Sequence, residues 1–108
     1  MTVTVATLGQ PFTSGNWLVR AGSEKEFVNR WTALALWSRT EARGAQFAYL
    51  IQDARDPRRF VSFGAWEDAE AVQAWREQAR FRELLGACRE LCDDFEAHDY
   101  TLASAPNA

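Results

Sequence analysis

Two strands and a tight turn are predicted within residues 45–66, which read AQFAYLIQDARDPRRFVSFGAW. Residues 45–52 and 59–66 are rich in the aromatic and aliphatic residues that strands favour. The segment Asp53–Arg58 between them contains an Asp-Pro pair, which is typical of turns. The pattern therefore predicts an antiparallel hairpin.

Both faces of this hairpin are apolar. On the first strand, alternation sets Phe47, Tyr49 and Ile51 against Ala48 and Leu50. On the second strand, it sets Phe60, Ser62, Gly64 and Trp66 against Val61, Phe63 and Ala65. A solvated face of an antiparallel sheet alternates toward polar residues, and the chain's own helices can cover only one face. We therefore expect a second copy to cover the other face, giving a homodimer whose two sheets form a dimeric α+β barrel.

The residues around the hairpin predict the neighbouring elements. A strand is expected at Phe12–Arg20, and a helix starts at Ser23, which forms a capping box with Glu26. Gly44 is expected to end that helix as its C′ residue. After the hairpin, Asp68 is a suitable N-cap for the next helix.

The second helical region is predicted to break near Gln78. Apolar residues from Phe81 to Phe95 recur at intervals of three and four, but a single continuous helix would place Trp75 on the opposite side from that stripe. A last strand at Glu96–Ala103 completes the order β-α-β-β-α-β. This order predicts a ferredoxin-like α+β fold, with a four-stranded antiparallel sheet and two helices on one face.

A chain of 108 residues fits one domain, which we place at residues 12–103. Residues 1–11 are interpreted as a lead-in, with an additional strand at Val3–Thr7 as the alternative, and residues 104–108 as a tail.

Charge and hydropathy argue against two classes of partner. The chain has 12 Lys and Arg against 15 Asp and Glu, and it lacks the basic stripe with which nucleic-acid-binding proteins neutralise phosphates. No apolar run is long enough to span a bilayer. Met1–Gln10 has no basic n-region of a signal peptide, so we expect a cytoplasmic protein.

Cys88 and Cys92 are the only cysteines. Their spacing would suit a metal pair on one helical face, but no His or third Cys nearby completes a site. We interpret them as small core residues and expect no metal.

Several segments resemble the antibiotic biosynthesis monooxygenase family. The resemblance rests on FVSFGAWED at 60–68, EAVQAW at 70–75 and Phe81, and on NWLV at 16–19 with Gly22, Phe27 and Trp31. It covers roughly residues 12–103 and implies the same dimeric fold. It also implies activities found in that family: some members oxidise phenolic polyketide intermediates with O₂ and no metal, flavin or haem, and relatives bind and degrade haem.

The resemblance implies two catalytic candidates on the third strand. In the polyketide oxygenases a Trp ends this strand, with an Asn four residues before it. The matching residues here are Trp66 and Ser62, and the shorter Ser departs from that pattern. For Trp66, a role as a core anchor is the alternative.

Other aromatic residues are candidates for a substrate pocket. Five Trp in so short a chain favour an aromatic-lined cavity, although each ring could instead be core packing. The candidates are Trp31, Trp37, Trp75, Tyr49 and Phe81.

Two polar residues are further candidates. Asn16 lies near an Asn of the haem-degrading relatives, but counting back from Gly22 makes Gly15 the matching position. A shift of one residue would turn Asn16 to the other face. His98 is the only histidine, and histidine is a residue type suited to general-base catalysis, with a surface or interface role as the alternative.

Three functions follow in order of preference. The first is a cofactor-independent monooxygenase that uses O₂ on a small aromatic or polyketide-like substrate. The second is a non-catalytic dimeric module that binds a small apolar ligand. A haem protein is third, because haem relatives carry their ligand His on the second helix and residues 69–92 contain no His.

Overall fold

The element order agrees with the predicted fold. A computed structural model describes residues 6–106. Its elements are β1 (Pro11–Val19), α1 (Glu24–Glu41), β2 (Ala45–Gln52), β3 (Arg59–Trp66), α2 (Ala69–Glu77), α3 (Ala79–Arg89) and β4 (Cys92–Thr101). The βαββαβ order is confirmed, with the second helix divided into α2 and α3.

The four strands form one antiparallel sheet in the order β2-β3-β1-β4. Helices cover the sheet face that carries Phe60, Ser62 and Trp66, all buried, as the alternation predicted. We call this the helix-covered face. Val61 points to the opposite face, which we call the outer face, and is 36% exposed.

The breaks around α2 were predicted correctly. The Asp68 carboxylate accepts a hydrogen bond from the Ala71 N–H at 2.8 Å, so it caps the first turn of α2. Gln78 separates α2 from α3 in an extended conformation. The helical region is therefore divided into two separate helices, and Trp75 can face the sheet independently of the stripe on α3.

The predicted ends of α1 were partly wrong. Ser23 is the N-cap as predicted, but its side chain makes no capping bond, and Glu26 pairs with Arg30 at 3.0 Å rather than completing a capping box. The C-cap is Ala42, so Gly44 lies two residues beyond it rather than one. Gly44 still needs to be glycine: its φ is +82°, and a Cβ there would lie 2.7 Å from the Ala71 Cβ.

The last strand begins four residues earlier than predicted. Strand β4 starts at Cys92, whereas the apolar spacing had extended the helix to Phe95. Phe95 faces Trp17 of β1, with ring centroids 4.1 Å apart. The Arg20 N–H donates to the Leu91 carbonyl, which already ties this segment to the first strand. An inward-facing Phe95 satisfies both a helical and a strand period, so spacing alone did not distinguish them.

The core lies between the sheet and the helices. Phe27 is fully buried between Trp17 and Phe60, with ring centroids 5.1 and 5.0 Å away. Cys88 is also fully buried, and burial raises the pKa of its thiol to about 12. Burial likewise raises the pKa of the Cys92 thiol to about 11, so both are un-ionised core thiols.

The first strand begins and ends one residue earlier than predicted, at Pro11–Val19. The alternative strand at Val3–Thr7 lies mostly outside the described residues, and its last two residues are not in a strand. Within residues 6–106, no helix has the length and apolar character needed to cross a membrane.

Candidate functional site

A cavity of about 630 Å³ lies between the helix-covered face of the sheet and the three helices. This volume is within the range of small-molecule sites. Its aromatic lining includes Trp17, Trp31, Trp66, Trp75, Phe81 and Phe95. Exposed side chains of α1, among them Leu36, also line it, so the cavity opens to solvent.

One predicted catalytic residue and two predicted pocket residues form a continuous aromatic wall. Trp66, at the end of β3, is only 3% exposed, and its ring centroid lies 4.6 Å from that of Trp75 on α2. Trp75 in turn contacts Phe81 of α3, with centroids 4.2 Å apart. The break at Gln78 lets α2 and α3 bring these rings together.

The indole N–H groups of this wall already have acceptors. Trp66 Nε1 donates to Thr13 Oγ1 at 3.0 Å. Trp75 Nε1 donates to Ser38 Oγ at 2.9 Å, and Ser38 Oγ donates to the Leu34 carbonyl. Neither indole N–H is therefore free to donate a hydrogen bond to a ligand.

Ser62 is paired with a tryptophan that the sequence analysis did not single out. Trp17 Nε1 donates to Ser62 Oγ at 3.0 Å, and both residues are buried. The Ser62 hydroxyl makes no other hydrogen bond with the described residues, so its own proton can be donated to an oxygen atom of a ligand. Trp17 lies two residues before the buried end of β1, a position typical of ordinary core packing. No local sequence pattern identifies Ser62 on β3 as its partner.

Gln10, in the predicted lead-in, supports the end of β3. Its side-chain amide donates to the Trp66 carbonyl at 3.1 Å and to Gln46 Oε1 at 2.8 Å. Gln10 is buried, so these bonds satisfy a polar group and hold the strand end that carries Trp66.

Gly15→Ala should destabilise the protein by about 1–3 kcal/mol and weaken ligand binding. A Cβ on Gly15 would lie 2.7 Å from Trp17 Nε1 and 2.9 Å from Ser62 Oγ, so the indole must move. Chemical denaturation measures the loss in the free energy of unfolding. The control is Gly86→Ala on α3, where a Cβ meets nothing within 4 Å and alanine should be neutral or stabilising. Equal stability of the two variants would contradict the tight packing around Gly15.

Three predicted site residues lie on the outer face, away from the cavity. Asn16 pairs with Val61 in register, so Gly15, and not Asn16, faces the cavity. Tyr49 is 58% exposed on the same outer face. His98 lies there too, 3.5 Å from the Glu96 carboxylate. The three locations have the same reason, since a strand turns alternate side chains to opposite faces.

Trp37 is also absent from the cavity wall. It lies on α1, is partly buried, and packs against the core cluster. Trp31, six residues earlier on the same helix, does line the cavity.

Charged groups in the described lining are few. They are Arg39 of α1, Arg76 of α2 and Asp99 of β4, none of which the sequence analysis identified. Arg76 forms a two-pronged ion pair with Asp99, and this pairing lowers the pKa of the Asp99 carboxyl. Asp99 therefore stays ionised and is a weak base. No His, Cys or Tyr is among the described residues that line the cavity.

Comparison with known proteins identifies a matching family and several structures with a similar fold. The model described as antibiotic biosynthesis monooxygenase matches residues 15–86. Among curated proteins, no sequence match was found. A mutant of SnoaB, a cofactor-independent oxygenase from Streptomyces nogalater, has a similar structure, with a TM-score of 0.85 at 18% identity over 93% of this chain and 99% of that chain.

Two further structures are similar. A second SnoaB structure gives a TM-score of 0.80 at 19% identity, covering 92% of this chain and 99% of that chain. A conserved protein of unknown function from Bacteroides thetaiotaomicron, described as a possible oxidoreductase, gives 0.78 at 14% identity, covering 89% and 100%. At these identities the likeness concerns the fold alone.

Proposed function

Because the chain belongs to the antibiotic biosynthesis monooxygenase family, we propose that it is a cofactor-independent monooxygenase acting with O₂ on a small aromatic or polyketide-like substrate. The observation that carries the proposal is the aromatic-walled cavity with a buried hydroxyl, that of Ser62, free to donate to a ligand. SnoaB, which has a similar fold, is a cofactor-independent oxygenase and supports the same reaction type.

The reaction needs no external reductant. Loss of a proton from an activated CH₂ carbon of the substrate gives a carbanion, which passes an electron to O₂. The resulting superoxide and carbon radical combine into a peroxide, which takes up a proton. Loss of water then leaves a carbonyl group at that carbon. One oxygen atom enters the product and the other leaves as water, and the substrate supplies all the electrons.

The proposed roles follow from the lining. The faces of Trp66 and Trp75 hold the flat substrate, and Phe81 extends the wall. Ser62 donates a hydrogen bond to the substrate oxygen on which negative charge develops, which stabilises the carbanion. The apolar walls exclude water from the reactive intermediate. Because His98 lies on the outer face, the proton of the acidic CH₂ carbon is proposed to pass to solvent water at the open side of the cavity.

We also propose that the working form is a homodimer. The outer face carries exposed apolar side chains on β2 and β3, including Tyr49, Ile51 at 54% exposure and Val61. Such a contiguous apolar patch is typical of an interface. A second copy related by a two-fold axis would bury the patch against itself and form the barrel.

Trp66→Phe should weaken binding of a dihydroxyanthraquinone several-fold, because part of the stacking surface is lost. Binding is measured as the dissociation constant from saturable quenching of Trp fluorescence. The matched control is Trp37→Phe, which removes an indole from α1 outside the cavity and should leave the dissociation constant unchanged.

The two variants separate the cavity from nonspecific adsorption. An equal effect of both changes, or quenching that never saturates, would count against ligand binding at this cavity. Should Trp66→Phe instead lower only stability, by about 1–3 kcal/mol, Trp66 would be a core anchor.

A second function, the non-catalytic binding module, is favoured by one observation. The only carboxylate in the described lining is Asp99, which is ion-paired with Arg76, so the cavity has no poised base. Saturable ligand binding without O₂ uptake above background would identify this function. Oxygen uptake in metal-free and flavin-free buffer tests the reaction itself.

A further inference from the structure

The cavity has an uncompensated positive charge. Of its described lining residues, only Arg39, Arg76 and Asp99 are charged. Arg76 Nη1 lies 3.0 Å from Asp99 Oδ2, and a second bond joins the other guanidinium nitrogen to Oδ1. These two charges cancel, so the lining as a whole carries the single charge of Arg39.

Arg39 lies in the last turn of α1, lines the cavity and has no ion-pair partner among the described residues. It follows Ser38, whose hydroxyl accepts the Trp75 indole N–H, so this turn of α1 is fixed against the aromatic wall. Arg39 is exposed and forms no ion pair with any carboxylate within residues 6–106. Its planar donors match the geometry of a carboxylate, which they can bind through two hydrogen bonds.

The net charge of the whole chain is opposite in sign to that of Arg39. The chain has a formal net charge of −3, so its general field disfavours anions. The unpaired cation beside the apolar cavity is therefore a local departure from the charge of the chain as a whole.

We infer that Arg39 is a specificity-determining residue, and that the ligand is an aromatic molecule bearing a carboxylate. The aromatic rings of the ligand contact Trp66 and Trp75, while its carboxylate lies at the solvent-facing rim beside Arg39. This inference rests on the proposed ligand-binding function of the cavity and adds the chemical class of the ligand.

The test compares two probes of the same shape, anthraquinone carboxylate and anthraquinone carboxamide, substituted at the same ring position. A carboxylic acid is ionised near neutral pH, whereas the amide is neutral. Wild-type protein should bind the carboxylate more tightly. Arg39→Gln should weaken carboxylate binding about tenfold and carboxamide binding less than about twofold, because only a charge-assisted hydrogen bond is lost. Arg39→Lys should retain part of the preference.

Two variants control for charge. Arg55→Gln makes the same charge change in the exposed turn between β2 and β3, away from the cavity, and should leave both dissociation constants unchanged. Asp99→Asn frees Arg76 from its partner and should therefore tighten binding of the carboxylate probe. Added salt of about 0.5 M should reduce this gain in affinity, because it screens the charges.

The outcomes separate the inference from the proposed function. Equal wild-type affinity for the two probes, or equal losses of both in Arg39→Gln, would overturn the role of Arg39 while leaving ligand binding at the cavity intact. If neither probe binds, the proposed function of the cavity fails and this inference fails with it. A tenfold loss confined to the carboxylate, with Arg55→Gln unchanged, supports the inference.

Discussion

Val61→Glu should convert the protein from a dimer to a monomer, raising the dimer dissociation constant at least about 100-fold. Val61 lies on the outer face, on the central strand β3, opposite Ile51 of β2 and Asn16 of β1. In the proposed barrel it is buried between two sheets, and an unpaired carboxylate there costs several kcal/mol. Light scattering at micromolar concentration should give about twice 12.2 kDa for the wild type and about 12.2 kDa for the variant.

The control is Val28→Glu on α1. Val28 is 39% exposed, close to the 36% of Val61, and the residue change is identical, but it lies on a helix rather than the sheet. This variant should remain dimeric. A wild type that is monomeric at micromolar concentration, or two variants with the same mass, would refute the barrel.

The parts of the fold that sequence reasoning predicted are those with local signals. The alternation at 59–66 assigned the two faces of β3 because burial follows the strand period from Arg59 to Gly64, although Ala65 on the outer face is also buried. Asp68 marked the start of α2 because a carboxylate cap acts within one turn. The boundary near Cys92 was missed because Phe95 fits both periods and only its contact with Trp17 selects the strand.

The cavity illustrates a second limit of sequence reasoning. Trp66 and Trp75 were found because they belong to motifs, and both line the cavity. The pairing of Trp17 with Ser62 was missed because it depends on the register between β1 and β3, which is set by the whole sheet. Arg39 was missed for a related reason, since an exposed Arg on a helix acquires meaning only when a cavity lies beside it.

Asn16 and His98 show how a single step of register decides which face of the sheet a candidate residue occupies. Each lies one residue from a position on the helix-covered face: Gly15 and Ala97 are paired with each other across β1 and β4 and line the cavity. Their neighbours therefore point to the outer face, where the proposed dimer contact lies. A family resemblance suggested Asn16 for the pocket and residue type suggested His98 for catalysis, but alternation along the strand decided where both side chains lie.

Ser62→Ala should reduce O₂ uptake with a hydroxylated anthrone by at least about tenfold, because the variant lacks the hydrogen-bond donor to the developing negative charge. The rate is measured with an oxygen electrode in metal-free and flavin-free buffer, above the uncatalysed rate. The same change leaves the buried Trp17 N–H without its acceptor and should lower the free energy of unfolding by about 1–3 kcal/mol. The rate must therefore be separated from stability.

Trp17→Phe provides that separation. It breaks the same hydrogen bond from the other side, so it should also destabilise the fold, but it keeps the Ser62 hydroxyl in the cavity. If Ser62 donates to the substrate, Trp17→Phe should lose much less of the oxygenation rate than Ser62→Ala does at a comparable loss of stability. Ser62→Thr, which keeps a hydroxyl, should retain part of the rate. Equal rate losses in Ser62→Ala and Trp17→Phe would mean that Ser62 acts only through packing, and the catalytic role proposed for its hydroxyl would have to be abandoned.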